Sequence, residues 1–564
     1  VAPMFVKSEF NYSEKSLINL LTNYTSLEIS LLRKESGDIG DTVFKVWEER
    51  KQKGGTLDTS KIYEVLWEIV NISGIGSVTE KDRVIIECLK KLNPLESKYF
   101  VRIICGQLRL GLNVKTLLDV FSISVTGDKE LRKDLERAYG VCADIGYIGS
   151  EVVGESYIKA KKKLSRVTVT PGVPILSRLV QRVSGFDELE ERFEKDVLVQ
   201  PKFDGLRCQI HRWSSKERRE RRRESIWERY ILDNNKMSHD LFTKASGESI
   251  NVHLFTRNLE DVTDMFPEIV ESAKEIESPS FILDTEVVGW DYGKNRFMSY
   301  QKTMQRRRKY SIKTTRDRIP VRAFVFDILY LNGKSLINED TYIRVKELEK
   351  TLKLPNRGIV MSETKRVSVG EEVKEYFNSN VHSGLEGIIV KKIEGGYLPG
   401  SRDYSWIKVK KSIKKDLVDT IDMVVVGYYK GSGRRAELGL GAILGAIYNE
   451  KEDTLDTICK IGTGMSDDIL KEISTKLLEY EMSDKPKNVN VLDNLIPDVW
   501  VLPKYVITVD ADEITKNISK ASKTVGGGLS LRFPRLVVFD RDKSIEDITT
   551  VEELVQMYSM RKHK

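Results

Sequence analysis

Between Ser13 and about Ile148, apolar residues recur at three- and four-residue intervals and β-type alternation is scarce, which predicts a helical domain. Residues 61–70 show it best, with Ile62, Val65, Leu66 and Ile69 at that spacing. A second amphipathic piece, 99–104, runs into Gln107-Leu108-Arg109-Leu110-Gly111-Leu112. A basic residue beside a glycine near a helix end suits a phosphate, and equally an ordinary helix terminus. Past Pro171-Gly172-Val173-Pro174 the texture changes to short β-branched runs at 197–199, 281–283, 323–326 and 387–390, predicted as buried strands of a mixed domain. After Lys410-Lys411 it changes again: runs such as 423–429 alternate with Gly-rich turns, as in a small barrel. The pattern predicts three domains, helical over 1–170, mixed over 171–415 and mostly β over 416–564.

One stretch interrupts this order. Within 213–250, residues 215–229 carry seven basic and four acidic side chains, and pairs such as Glu217 with Arg221 fit a solvated helix. Two readings stand: a solvated insertion, or an auxiliary arm that contacts phosphates.

Composition narrows the classes. A chain of 564 residues allows about three to four domains. Apolar residues at 40% can fill a core in each, which excludes wholesale disorder. The formal charge of +7 is too small for a histone-like coat, so any nucleic-acid contact rests on local basic patches. The five cysteines have no C-x-x-C and no histidine at ligand spacing, which disfavours structural zinc and suits a reducing cytosol. No apolar stretch approaches the roughly 20 residues of a membrane span. The expectation is a soluble, intracellular protein.

The candidate chemistry begins at Gln200-Pro201-Lys202-Phe203-Asp204-Gly205-Leu206-Arg207, where a lysine at a strand end is followed by an acid and a glycine. Such a lysine serves as a nucleophile when nearby positive charge or metal keeps its amine neutral. Alone the pattern is weak, since a lysine near an aspartate is usually a surface ion pair. An ordered series follows it: Phe255-Thr256-Arg257-Asn258, Leu283-Asp284-Thr285-Glu286, Val325-Phe326-Asp327, Glu386-Gly387-Ile388-Ile389-Val390-Lys391 and Trp406-Ile407-Lys408-Val409-Lys410. Near the C-terminus stand Ser530-Leu531-Arg532-Phe533-Pro534-Arg535 and Asp542-Lys543. Gly333-Lys334-Ser335 has only the tail of a P-loop, with Ile328 at the first glycine position, and is rejected as one. Gly526-Gly527-Gly528 reads as a turn and His382 as a structural or surface residue.

In that order, these residues resemble the covalent nucleotidyltransferases, and specifically the ATP-dependent DNA ligases of archaeal and eukaryotic type, over nearly the whole chain. The resemblance implies a multidomain α+β protein: an all-helical DNA-binding domain, an α+β adenylation domain with the basic insertion, and a β-barrel OB-fold domain. It implies sealing of 5′-phosphate/3′-hydroxyl nicks through a lysyl-AMP, in replication, repair and recombination. Lys202 would be the nucleophile. Gln200, standing where many relatives have Glu, would accept from the adenine amino group, and Phe326 would stack on the base. Lys391, Lys408 and Lys410 would hold phosphate, the last two also depressing the pKa of Lys202. Glu286 and Glu386 would be Mg²⁺ (or Mn²⁺) ligands or ribose partners. Arg207 and Arg257 would take the nucleotide and the nick 5′-phosphate, with Arg109 on DNA. Arg532, Arg535 and Lys543 would reach over from the OB domain to the pyrophosphate. The implied state is a monomer in the cytoplasm or nucleoid acting on nicked duplex DNA, with a sliding clamp as a further partner and no membrane. One departure bears on the site: the last motif, usually R-x-D-K, reads Asp540-Arg541-Asp542-Lys543, its arginine displaced by one place. RNA ligases and capping guanylyltransferases share the scaffold, and a non-catalytic DNA-binding scaffold is the rival of another class. The helical domain and the motif at 532–535 disfavour capping.

Overall fold

A computed structural model describes residues 2–560, apart from 215–249, 411–419, 432–438, 517–524, 308–311, 354–355 and positions 7, 37, 52, 56, 107, 109, 111, 184, 194, 299 and 512. Arg109, nearly all of the basic insertion and the expected boundary near Asp416 lie outside the described residues.

Among the described residues, ten helices run from Glu14–Thr25 to Tyr157–Arg166, and no strand precedes Leu179. The periodic stretch at 61–70 lies in helix Thr59–Asn71, whose first turn is capped by Asp58 accepting from the Lys61 amide at 2.8 Å. Helix Pro94–Ile104 opens with a reciprocal Asn93/Glu96 capping box and proline in its first turn. Leu66, Ile69, Phe100 and Val101 join one buried cluster. A second cluster joins Leu135, Ile148 and Leu164 of the later helices to Phe255, Tyr330 and Trp406 of the following region, so the helical part is packed against the sheets rather than tethered to them.

The central region is two sheets. The first has the order β1 (Leu179–Arg182), β12 (Arg402–Lys410), β11 (Gly387–Lys391), β2 (Val197–Lys202), β10 (Lys365–Val367). The second has the order β4 (Ile250–Thr256), β3 (Leu206–Ser214), β5 (Phe281–Asp291), β7 (Val321–Leu331), β8 (Lys334–Ser335), with β6 (Arg296–Phe297) on β5 and β9 (Ile359–Met361) on β7. The apolar runs read from the sequence are the middles of β2, β5, β7 and β11, where burial is almost continuous. The rejected P-loop is the tight β7–β8 turn, with Asn332 and Gly333 both at positive φ. His382 is exposed at the end of helix Glu371–His382.

The last region is β-rich. Ile421–Tyr429 pairs with Ala442–Asn449, which pairs with Thr454–Ile461; on its other side Ile421–Tyr429 pairs with Val506–Asp510, which pairs with Arg535–Arg541. A bridge from Thr463 to Arg535 joins the two ends, closing the strands into a ring around Ile421, Met423, Ile443, Ile461 and Ile507. A terminal helix, Val551–Met560, follows. No described helix is long and apolar enough to cross a membrane.

Candidate active site

Strand β2 ends at Lys202, and strand alternation puts Gln200 and Lys202 on one face. Lys202 pairs in register with Gly387 of β11, which in turn pairs with Lys410 of β12. That close approach requires glycine: Gly387 has φ +155°, and a Cβ there would sit 2.0 Å from the Val409 carbonyl. Gly205 is equally constrained, since a Cβ would lie 2.4 Å from the Val287 carbonyl. Its amide donates to Glu286 Oε1 at 3.2 Å, which fixes that carboxylate beside the lysine.

The two sheets enclose a cleft lined by Val180, Gln200, Lys202, Asp204, Arg207, Arg257, Glu286, Phe326, Ile389, Lys391 and Trp406, with Arg541, Asp542 and Lys543 from the β-rich region. Gln200 and Lys391 both donate to the Phe326 carbonyl, and the Phe326 ring stands 6.3 Å from that of Trp406. Aromatic surface and many cationic groups in one cleft suit a base joined to phosphates.

Of the residues expected from sequence, Lys202, Gln200, Arg207, Arg257, Glu286, Phe326, Lys391 and Lys543 line this cleft. Glu386 bridges two cations, holding Lys202 Nζ and, at 2.5 Å, Lys410 Nζ. Burial works against its charge, but Lys202, Lys410 and Arg541 overcome it and hold the carboxyl well below 4.5. In this arrangement Lys202 engages its Oε2 and Lys410 its Oε1. Arg207 is clamped by Asp284 at 3.1 and 2.7 Å, with its guanidinium carbon 5.3 Å from the Phe326 ring centre. Arg257 pairs with Asp547 at 2.5 Å. Lys391 donates to the Phe326 carbonyl at 3.1 Å and lies 3.8 Å from the Trp406 ring centre; burial pulls its ammonium from 10.5 down to about 7.

Three expected residues fall elsewhere. Lys408 does not line the cleft; burial lowers its ammonium well below 10.5, with Glu553 the largest opposing charge. Arg532 is exposed against Phe533, and Arg535 is exposed and paired with Asp510 at 3.4 Å, so neither reaches the site in this arrangement. The reason is the direction of the strand Arg535–Arg541, which meets the cleft at its far end, with Arg541, not at its start.

The displaced arginine has a structural counterpart. Val506 pairs with Arg541 but Thr508 with Val538, so the strand carries one extra residue there, and Asp540 takes a left-handed backbone with φ +61°. Its carboxylate accepts from Lys476 at 2.9 Å, away from the cleft. The bulge aims Arg541 inward, 3.8 Å from Asp204 and 3.9 Å from Asp422. Asp422, Asp204, Trp406 and Asp547 were missed as site residues. Asp204 and Trp406 stood inside quoted motifs, whereas only the fold brings Asp422 and Asp547 near the lysine.

No group of three or more His, Cys, Asp or Glu side chains among the described residues is assembled for a metal. Glu286 has the right chemistry for a hard cation: burial pushes its carboxyl from 4.5 up to about 7 despite Lys202 and Arg207, and Asp204 beside it is also raised, chiefly by burial. The pH consequence is testable. A folded enzyme that keeps this proton while the unfolded chain loses it is destabilised as pH rises from 4.5 to about 7, by on the order of 1–3 kcal/mol, with no further change above. Glu286→Gln should therefore gain melting temperature over the nucleotide-free wild type between about pH 5 and about pH 8; parallel curves would refute the assignment.

A helical domain, a two-sheet domain with a lysine-ended cationic cleft, and a closed β-domain whose last strand enters that cleft define a multidomain nucleotidyltransferase architecture. Comparison with known proteins gives the family. Residues 1–122 match the DNA ligase N terminus, 243–410 the ATP-dependent DNA ligase domain and 436–543 the ATP-dependent DNA ligase C-terminal region. The chain is 36% identical over 571 residues to a probable DNA ligase of Dictyoglomus turgidum, covering all of this chain and 90% of the relative. It is 34% identical to DNA ligase 1 of Methanosarcina acetivorans (93% of this chain, 85% of the relative) and 32% identical to the DNA ligase of Saccharolobus shibatae (99% and 89%). The chain belongs to the ATP-dependent DNA ligase family, enzymes that make phosphodiester bonds through an adenylated intermediate.

Proposed function

We propose that this ligase seals 5′-phosphate/3′-hydroxyl nicks with the cleft around Lys202 as its nucleotide site, and that the single observation carrying this is one cleft lined both by the aromatic rings of Phe326 and Trp406 and by the cations Lys202, Arg207, Arg257, Arg541 and Lys543. Lys202 Nζ attacks the α-phosphorus of ATP; the N–P bond forms as the bond to pyrophosphate breaks. A nick 5′-phosphate oxygen then takes AMP from the lysine, and the 3′-hydroxyl attacks the adenylated 5′-phosphorus, expelling AMP. Each step is an in-line displacement governed by positioning and charge neutralisation. Glu386 keeps Lys202 and Lys410 together at the α-phosphate, while Arg541 and Lys543 stand over the lysine where pyrophosphate departs. Arg207 and Arg257 suit phosphate, Arg257 by exchanging Asp547 for it.

Mg²⁺ or Mn²⁺ would be held by Glu286, with Asp204 adjacent; bound there it neutralises phosphate charge. The closed five-strand ring supports an OB-fold for the last domain, and the texture changes support divisions near 170 and 416. The protein acts as a monomer inside the cell on nicked duplex DNA in replication, repair and recombination, with a sliding clamp as a further partner. Incubation with ATP, Mg²⁺ and a nicked duplex should yield sealed strand and AMP; a nick bearing 5′-hydroxyl should yield neither, and sealing without nucleotide would refute the reading.

A further inference from the structure

Around Phe326 the cleft holds a directional hydrogen-bond chain. Gln200 is 1% exposed, and its carboxamide lies between the two sheets. Gln200 Nε2 donates to the Phe326 carbonyl at 3.1 Å and to Thr364 Oγ1 at 2.8 Å. The Phe326 carbonyl can only accept, and it also receives Lys391 Nζ at 3.1 Å. The Thr364 hydroxyl is directed as well: it donates to the Ser362 carbonyl at 3.4 Å, leaving its lone pairs for the amide, and Ser362 is tied to β7 through its own amide at 2.7 Å from the Val325 carbonyl. Thr364 immediately precedes β10, where Lys365 pairs with Val199, so the backbone register sets it against Gln200. An amide flip would bring Oε1 against the Phe326 carbonyl, oxygen to oxygen, and would turn the Thr364 proton away from Ser362. Both NH₂ hydrogens are thus committed away from the cleft, and Gln200 presents its oxygen to whatever base lies there.

We infer that Thr364 is a specificity-determining positioning residue: by holding the Gln200 amide in one orientation it makes the site select a purine with a 6-amino donor over one with a 6-carbonyl acceptor. The inference rests on the proposed nucleotide site. Thr364 is absent from the cleft lining and acts only through Gln200. With a 6-amino group Gln200 Oε1 accepts a hydrogen bond. With a 6-carbonyl it meets another acceptor, and turning the amide to donate forfeits the Phe326 and Ser362 bonds.

The test compares initial rates of covalent lysyl-nucleotide formation with α-labelled ATP and α-labelled inosine triphosphate, whose base replaces the 6-amino group by a carbonyl, in wild type, Thr364→Val and Thr364→Ser. The rate ratio is independent of the folded fraction, so partial misfolding of one variant leaves the readout intact. Thr364→Val, which removes the hydroxyl at nearly constant shape, should lower the ATP preference about fivefold, the worth of one hydrogen bond near 1 kcal/mol. Thr364→Ser, which restores the hydroxyl, should return the wild-type ratio. An unchanged ratio in Thr364→Val, or a serine variant that behaves like the valine one, overturns the inference. Absence of any adduct in the wild type would instead overturn the nucleotide-site reading beneath it.

Discussion

Lys202→Ala is expected to give no covalent adenylate with α-labelled ATP and no sealing of a 5′-phosphate nick, while folding normally. Alanine offers no nitrogen, and the neighbouring amines are not substitutes. Lys410 is held 2.5 Å from Glu386 on β12, two strands away across the sheet, Lys391 is fixed on the Phe326 carbonyl, and Lys543 is engaged by Asp422 in the other domain. The loss should therefore reach the detection limit, beyond the roughly 10⁴-fold that general acid–base groups contribute. The fold should survive because Lys202 is the last residue of β2, partly exposed, and the strand is secured by the buried Val197 and Val199 and by pairing with β10 and β11. Sealing of a nick that already carries AMP needs no lysine nucleophile and should persist in the variant. Robust labelling of Lys202→Ala would remove the nucleophile assignment; loss of pre-adenylated sealing as well would mean that the substitution had broken the site as a whole.

What the sequence disclosed and what it withheld divide along a physical line. Lys202, Glu286, Phe326 and Lys391 were legible because each sits within a strand whose hydrophobic run is itself readable, so the motif and the element that aims it occupy the same few residues. The helical region was legible for the same reason: helix periodicity is local. Arg532 and Arg535 stand outside the cleft in this arrangement because the strand Arg535–Arg541 meets it at the Arg541 end, which a linear motif does not specify. The displaced arginine departs from the motif because a linear motif counts residues, whereas the structure counts strand positions, and the bulge at Asp540 changes one into the other. Lys408 was expected at the phosphate together with Lys410, yet it lies outside the cleft with Glu553 of the terminal helix near it, a proximity between residues far apart in sequence. Glu386 was expected as a metal ligand or ribose partner, and its pairing with Lys202 and Lys410 is a contact between neighbouring strands that the sequence alone does not display.

The residue whose role depends most on folding is Asp422, and its removal should separate the chemical steps. The residue is 7% exposed; its side chain takes Lys543 Nζ, accepts from Thr508 Oγ1 at 2.7 Å and lies 3.9 Å from Arg541 Nε, while Thr549 binds its backbone amide at 3.1 Å and its carbonyl at 2.9 Å. Burial opposes its charge, and Lys543, Arg541 and Lys410 overcome that, holding the carboxyl far below 3.8. Asp422 therefore anchors two cations, Arg541 and Lys543, that line the cleft with Lys202, without lining it itself. Asp422→Asn keeps the shape and the Thr508 contact but removes the counter-charge. The consequence for Lys543 follows from electrostatics: its ammonium, already lowered by burial to about 8, loses its principal stabilising partner and gives up its proton at a lower pH. Lysyl-AMP formation should slow about 100-fold, the lower end of the range for loss of one charge-stabilising donor, and its alkaline limit should move to lower pH. Sealing of a pre-adenylated nick involves no pyrophosphate and should change less than about threefold, within ordinary variation of a buried polar substitution remote from the reacting atoms. A purely structural role for Asp422 would slow both reactions equally and leave the pH limit in place, and that outcome would dismiss it as the anchor.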